Sequence, residues 1–372
     1  MNLLDRYIAR QYLINVVMLF VILFAFVVTI DIAVNIDWFW RIAGRRESPE
    51  GDAGVVRQFI VTVLLIADFW WPKLLQLFNI MLGLVLVGAM GFTCTQMVRH
   101  REFVAVLASG QSLRRIGRPI LIVALGMTLI AAVNQEMVLP RIAPLLARDK
   151  SQAGQRNVAV SNVSMVRDNQ DRLLYARIFD PATNTLTDFE LIERSQLGPA
   201  TKRTFGEIAT WDGAAWVCQN ATVESLISGG GTQVGVPIRF ETDLDPIALS
   251  VRQYTSYSQF LSWRQLGQLL EKTKNGDKNV HDRLQRTRFS RISIALTNLV
   301  SLVLVMPFFI VRVPSNMTSQ ALKGAPIAMI ALIGGTVGAT APVTGVSPVV
   351  SVFIPVIVLL PLAIAVAMSP KT

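Results

Sequence analysis

Six stretches of this chain come near the ~20 apolar residues that a helix needs to cross a bilayer. They are residues 12–34, 74–98, 116–139, 292–310, 325–341 and 349–368. No other feature constrains the fold as strongly. A lipid interior leaves every backbone N–H and C=O to be satisfied inside the chain, so stretches of this kind become helices. The fifth is the shortest and is rich in Gly and Pro. A seventh candidate, residues 59–71, contains Asp68 and runs into Pro72 and Lys73. Its length and its Trp70–Trp71 pair predict a helix lying in the interface rather than a span. Composition agrees with a membrane protein. Charged residues make up 16% of the chain, against roughly 25% in soluble domains, and the apolar content excludes disorder. The first apolar run is too long for a cleavable signal, and no small-residue cleavage site follows it.

Basic residues set the expected orientation. One side would hold Arg6, Arg10, Arg99, Arg101, Arg114, Arg115, Arg118, Arg312, Lys323 and Lys371. The other would hold Arg41, Arg45, Arg46 and Arg57, offset by Asp37, Glu47, Glu50 and Asp52. Both termini are therefore expected in the cytoplasm. The net charge of +10 suits an anionic leaflet or an acidic partner and calls for no nucleic acid.

Between the third and fourth spans lie residues 141–291, expected on the far side of the membrane. Residues 172–179, 185–193, 203–211 and 215–226 alternate apolar and polar side chains, the period of a strand. Asp212-Gly213 falls between two of these runs, where a two-residue hairpin turn needs positive φ. Gly229–Gly231 and Pro237 punctuate a later turn, and from Ser262 to Arg288 the texture becomes helical and charged. The expected layout is helices over 1–140, an antiparallel β-sandwich or jelly roll over 141–261, a helical return over 262–291, and three spans over 292–372.

Motifs for enzymatic chemistry are missing from the sequence. There is no Gly-x-x-x-x-Gly-Lys-Ser/Thr loop, Gly-x-Ser-x-Gly, His-Glu-x-x-His or Cys-x-x-Cys, so no nucleotide site or hydrolase is read here. Two cysteines, Cys94 and Cys218, make no disulfide framework. His100 and His281 sit in charged surroundings and read as solvated, so no metal or other cofactor is expected. The most informative segment joins the second and third spans: Arg99-His-Arg-Glu-Phe-Val-Ala-Val-Leu-Ala-Ser-Gly-Gln-Ser-Leu-Arg-Arg115. It reads as a short helix over 101–108 with a polar face carrying Glu102. Gly110 would end it in a left-handed C-cap, and Ser112 would cap the next helix. An ordinary amphipathic turn between two spans fits the same residues.

The pattern Glu102…Ala108-Ser109-Gly110-x-Ser112-x-x-Arg115 resembles the coupling-helix segment of the LptF/LptG permeases, which export lipopolysaccharide from the inner membrane. Other segments follow in the family's order. Leu4-Asp5-Arg6-Tyr7-Ile8 resembles the LptG-type amino terminus. Glu136-x-x-x-Pro140 closes the third span. Trp211-Asp212-Gly213-x-x-Trp216-x-Cys218 resembles the hairpin of the jelly-roll domain. Arg283-Leu-Gln-x-x-Arg288, leading to Pro307, resembles the approach to the fourth span.

The resemblance implies a transport subunit, not an enzyme, with ATP hydrolysis in a separate cytoplasmic ATPase dimer. It also implies a second, LptF-like permease, a periplasmic jelly-roll bridge protein and lipopolysaccharide or a related lipid as cargo. Glu102, Ala108, Ser109, Gly110, Ser112, Arg114 and Arg115 would contact the ATPase. The lipid pathway would involve the first and fifth spans, with Asp31, Arg41, Glu136, Gly334 and Gly338 as candidates. Gly334-x-x-x-Gly338 equally reads as a close-packing motif. Where relatives often carry basic residues near the outer end of the first span, this chain has Asp31 and Asp37. A different mechanotransmitting exporter and a membrane-anchored assembly scaffold remain as alternatives.

Overall fold

A computed structural model describes residues 3–45, 55–108, 114–146, 161–168, 170–180, 183–194, 200–226, 231–246, 249, 258–273, 278–310, 317–343 and 345–368. The chain divides into two compact units. One joins Met1–Gly154 with Phe260–Thr372, and the other is Gln155–Gln259.

The first unit is helical. In chain order it contains α1 (Leu3–Arg45), α2 (Val55–Arg99), α3 (Glu102–Ala108) and α4 (Arg114–Val133). A π turn (Asn134–Val138) leads on to α5 (Leu139–Leu146). After the second unit come α6 (Trp263–Lys272), α7 (Lys278–Phe309), α8 (Met317–Thr340) and α9 (Pro348–Met368). Among the described residues, six helical stretches are long and apolar enough to cross a membrane, matching the six apolar runs.

Residues 59–71 are not a separate interfacial helix. They continue without a break into the second span as part of α2, through Pro72. Proline is tolerated inside membrane helices because neighbours re-satisfy the freed carbonyl. At 1.5 Å per residue α1 and α2 are each about 65 Å long, roughly twice the ~30 Å hydrocarbon layer.

Two kinds of contact pair α1 with α2. Toward the α3 end, Tyr12 is fully buried with Leu86, Met90, Cys94 and Met97, and its hydroxyl donates to the Leu86 carbonyl at 2.9 Å. At the other end the seam is aromatic. Phe39, Phe69 and Trp70 form a buried cluster, and Phe20 meets Phe78 edge-on at 5.5 Å. Glycines bring the remaining helices together. A Cβ at Gly83 of α2 would collide with Asn298 of α7, one at Gly335 of α8 with Thr297 of α7, and one at Gly338 with Pro355 of α9. The inner face of α7 is polar and small: Ser290, Ser293, Thr297, Asn298 and Ser301 are buried. The Ser293 hydroxyl donates to the Val352 carbonyl of α9 at 2.7 Å.

The second unit is one antiparallel sheet of β1 (Ser161–Arg167), β2 (Leu173–Asp180), β3 (Thr185–Arg194), β4 (Ala200–Trp211), β5 (Trp216–Ser225) and β6 (Thr232–Phe240). Neighbours in sequence are neighbours in space throughout. The expected antiparallel β-domain is present, and among the described residues its strand order is a six-strand meander without Greek-key exchanges. One face carries the core of Leu174, Phe179, Leu186, Phe189, Trp216 and Phe240. Trp216 Nε1 donates to the Leu244 carbonyl at 2.9 Å.

Two local readings need correction. Pro237 does not mark a turn but lies within β6. That strand pairs only with β5 among the described residues, so a missing N–H can be spared there. The hairpin at Asp212 is not a type I′ Asp-Gly turn, because only Gly213 has positive φ, +103°. The Asp212 N–H donates to the Ala215 carbonyl at 3.1 Å, which places Gly213 and Ala214 at the tip.

Candidate coupling site and lipid pathway

α2 stops at Arg99 because the chain turns back on itself. The N–H groups of His100 and Arg101 donate to the carbonyls of Gln96 and Val98, and Arg101 adopts a left-handed φ of +58°. The Ala105 N–H then donates to the Arg101 carbonyl, opening α3. Seven residues give this helix two faces. Phe103 and Val106 join the core beside Met97 and Ile116, whereas Val104, Ala105 and Ala108 are exposed. The exposed face is therefore apolar, not the polar face expected from the sequence.

Glu102 turns toward α1 instead. The Tyr7 hydroxyl donates to its Oε1 at 2.9 Å, and its Oε2 is buried without a hydrogen bond among the described residues. Arg115, at the start of α4, lies 3.7 Å from Asp5. The structure thus brings Glu102 and Arg115 together with Asp5 and Tyr7 of the amino-terminal motif. Arg114 opens α4. Ser109, Gly110 and Ser112, with their expected caps, lie outside the described residues.

The five lipid-pathway candidates have separate surroundings. Asp31 accepts from Trp70 Nε1 at 3.2 Å, which fastens α1 to α2, and from Asn35 Nδ2 of its own helix at 2.9 Å. Arg41 is exposed, and its Nε donates to the Asp37 carbonyl one turn back at 3.2 Å. Glu136 sits on the π turn. Its Oε1 accepts from Arg291 of α7 at 2.9 Å and its Oε2 from the Trp263 N–H at 2.7 Å. Arg291 also donates to the Leu261 carbonyl, so Glu136 anchors the returning chain. Gly338 packs on Pro355, while a Cβ at Gly334 would meet nothing within 4 Å. Gly334 is exposed beside Ile330, Ile333 and Val337. An apolar cavity of about 280 Å³ opens between α1, α2 and α4, lined by Val16, Phe20, Leu74, Phe78, Leu82 and Met127 among others.

Several of these contacts escaped the reading of the sequence, although Tyr7 itself lies in the amino-terminal motif. Tyr7 and Arg291 act through partners 95 and 155 residues away. Asn134 donates to the Leu75 carbonyl and to Asn79 Oδ1, and Asn79 donates to Gln135. That network holds the third span to the second at the π turn, a distortion that recurs at functional sites. The signal was the triplet Asn134-Gln135-Glu136 in an apolar run. The 3-4-4 spacing of Ser290, Ser293, Thr297 and Ser301 could likewise have flagged the inner face of α7. Among the described residues no group of three or more His, Cys, Asp or Glu could hold a metal.

A comparison with curated proteins finds no match. A family model, lipopolysaccharide export system permease LptF/LptG, matches residues 55–369. The match runs from the start of α2 to the end of α9, taking in α3, the sheet and the return helices. The chain belongs to the LptF/LptG family of lipopolysaccharide export permeases.

Proposed function

We propose that this chain is an LptG-type permease subunit of an ABC transporter that takes lipopolysaccharide, or a related envelope lipid, from the inner membrane and passes it to a periplasmic bridge protein. It works beside a second, LptF-like permease and a cytoplasmic ATPase dimer. The termini and α3 lie in the cytoplasm, and the sheet lies in the periplasm. The observation that carries this reading is α3. A helix between two spans buries Phe103 and Val106 and leaves Val104, Ala105 and Ala108 uncovered, an apolar face suited to seating in a groove.

Glu102 and Arg115 fix the pose of that face, and Ser109, Gly110, Ser112 and Arg114, which follow α3 in the sequence, complete the ATPase contact. Lipid passes along the first and fifth spans, where Arg41 is exposed and Ile330, Gly334 and Val337 form an uncovered face. Asp31, Glu136 and Gly338 are engaged in holding helices together. Purification of the wild type from its native membrane should bring an ABC-class ATPase with it, and Val104→Asp should lose that subunit while remaining inserted. Cysteines at positions 109 and 187 should label from opposite sides of the membrane. Full ATPase recovery with Val104→Asp, or labelling of both sites from one side, overturns the reading.

A further inference from the structure

Two segments almost a hundred residues apart close one joint at the α3 end of the helical unit. The Tyr7 hydroxyl donates to Glu102 at 2.9 Å, and Asp5 faces Arg115 at 3.7 Å. One contact is at the first residue of α3 and the other at the second residue of α4, so α1 touches both helices. Glu102 is the one charged residue of α3, and its carboxylate turns toward α1, with Oε1 on the Tyr7 hydroxyl and Oε2 buried.

The contact continues up the same stripe of α1 at intervals of four residues, the spacing of one helix face. Gln11 donates to Gln96 at 2.9 Å. Asn15 donates to Thr93 at 2.9 Å and to Gln96 at 3.1 Å. These are short, directional bonds between side chains in an apolar setting. They resist sliding in a way that aliphatic contacts do not, because a hydrogen bond weakens steeply once distance and angle depart from ideal.

By contrast, the covalent link from α2 into α3 is a sharp bend at Arg101, in the left-handed region at φ +58°. A one-residue bend is a poor lever. We infer that Tyr7, assisted by Asp5, is a positioning residue that makes the first span move as one body with α3. Work delivered to α3 then reaches the first span directly through Tyr7–Glu102 and Asp5–Arg115, and not only through the spans on either side of α3 in the chain. This rests on α3 being the docking element.

Tyr7 is 49% exposed, so Tyr7→Phe removes the hydroxyl while disturbing little packing. The test uses the full complex with ATPase and partner permease in proteoliposomes. It reads three things: ATPase retained, ATP hydrolysed, and lipopolysaccharide released per ATP. Tyr7→Phe should keep the subunit and the hydrolysis, while release per ATP falls about fivefold or more, the scale of an allosteric coupling. A bis-maleimide crosslink between Tyr7→Cys and Glu102→Cys, which spans the reach of the two long side chains where a direct disulfide is too short, should restore the ratio toward wild type, since it replaces the same link. Unchanged release per ATP in Tyr7→Phe overturns the joint while leaving the docking reading intact. So does a 7–102 crosslink that stops release while hydrolysis continues, because the contact would then have to open during each cycle. A wild-type complex that retains no ATPase overturns both readings.

Discussion

The helical unit and the sheet unit differ in what they leave on their surfaces and in what they bury beside their apolar cores. In the helical unit Val21, Ile22, Phe26, Ile330 and Leu360 are exposed, while Asn15, Thr93, Ser293, Thr297 and Ser301 are buried. In the sheet unit Phe179, Phe189 and Trp216 are buried, while Arg177, Asp188, Glu207 and Arg239 are exposed. Removing apolar surface from water drives the second arrangement. It gives nothing to the first, because lipid tails are as apolar as leucine. Helices in lipid associate through close packing and hydrogen bonds instead. Equivalent substitutions should therefore act differently in the two units.

The largest expected effect is in the sheet. Trp216 is fully buried, packs edge-on against Phe179 at 6.3 Å, and has its indole N–H satisfied by Leu244. Trp216→Ala should cost about 3–5 kcal/mol. Limited proteolysis should then cleave the sheet unit while the six spans stay inserted. Loss of both units together would show that the spans depend on the sheet.

In the helical unit the damaging change is addition, not removal. Gly335→Val drives a side chain into Thr297, where no space exists, and overpacking costs about 1–3 kcal/mol. Gly334→Ala, one residue earlier on the open face, should leave thermal stability in detergent unchanged. Equal losses in the two variants would dismiss close packing of α8 on α7 as the reason for these glycines.

These two residues also show what the sequence could and could not reveal. Gly334 and Gly338 stood out by their spacing, yet it is Gly335 and Gly338 that meet neighbouring helices. Spacing reports a face, and only the partner helix decides which residue on it is crowded. Apolar run length found all six spans, because lipid forces that length on any helix. It misjudged residues 59–71, where Asp68 and Pro72 interrupt the apolar pattern but not the hydrogen-bonded helix. Alternation found β2 to β5, whereas Pro237 disguised β6 as a turn. The exposed face of α3 was misread because the orientation of Glu102 depends on Tyr7, which no local pattern connects to it. Glu136 was noticed, but its partner Arg291 is 155 residues away.

A smaller effect sharpens the comparison from the polar side. Asn15 is 4% exposed and bridges α1 to Thr93 and Gln96. Hydrogen bonds between membrane helices average about 0.6 kcal/mol in double-mutant cycles. Asn15→Val, which removes the amide with a smaller change of volume than Leu would bring, should therefore lower stability only slightly in a detergent melt. The cycle with Thr93→Val should recover a coupling of about that size. A loss several times larger would mean that the stripe on α1 is a main support of the fold and not chiefly a register device.

The smallest effect concerns a charge in water. Asp212 Oδ1 accepts the N–H groups of Ala214 and Ala215 at 3.0 and 2.8 Å, and Arg239 lies 2.9 Å from Oδ2. The two backbone bonds, with a smaller contribution from Arg239, hold the carboxyl below its ordinary range. A carboxylate depressed in the folded state contributes stability that is fully present above its unfolded value of about 4. That contribution is lost as pH falls through the folded value, because the unfolded chain takes up the proton first. The melting temperature of the sheet unit should stay level from neutral pH to about pH 5 and then decline. Asp212→Asn keeps an acceptor oxygen for the turn but carries no charge, so it isolates the titrating group. It should melt slightly lower than wild type at neutral pH and lose less on acidification, so that the two curves converge below pH 4. Parallel acid slopes in the two proteins would mean that the ionised carboxylate adds nothing to the hairpin, leaving the positive φ of Gly213 as the feature that shapes the turn.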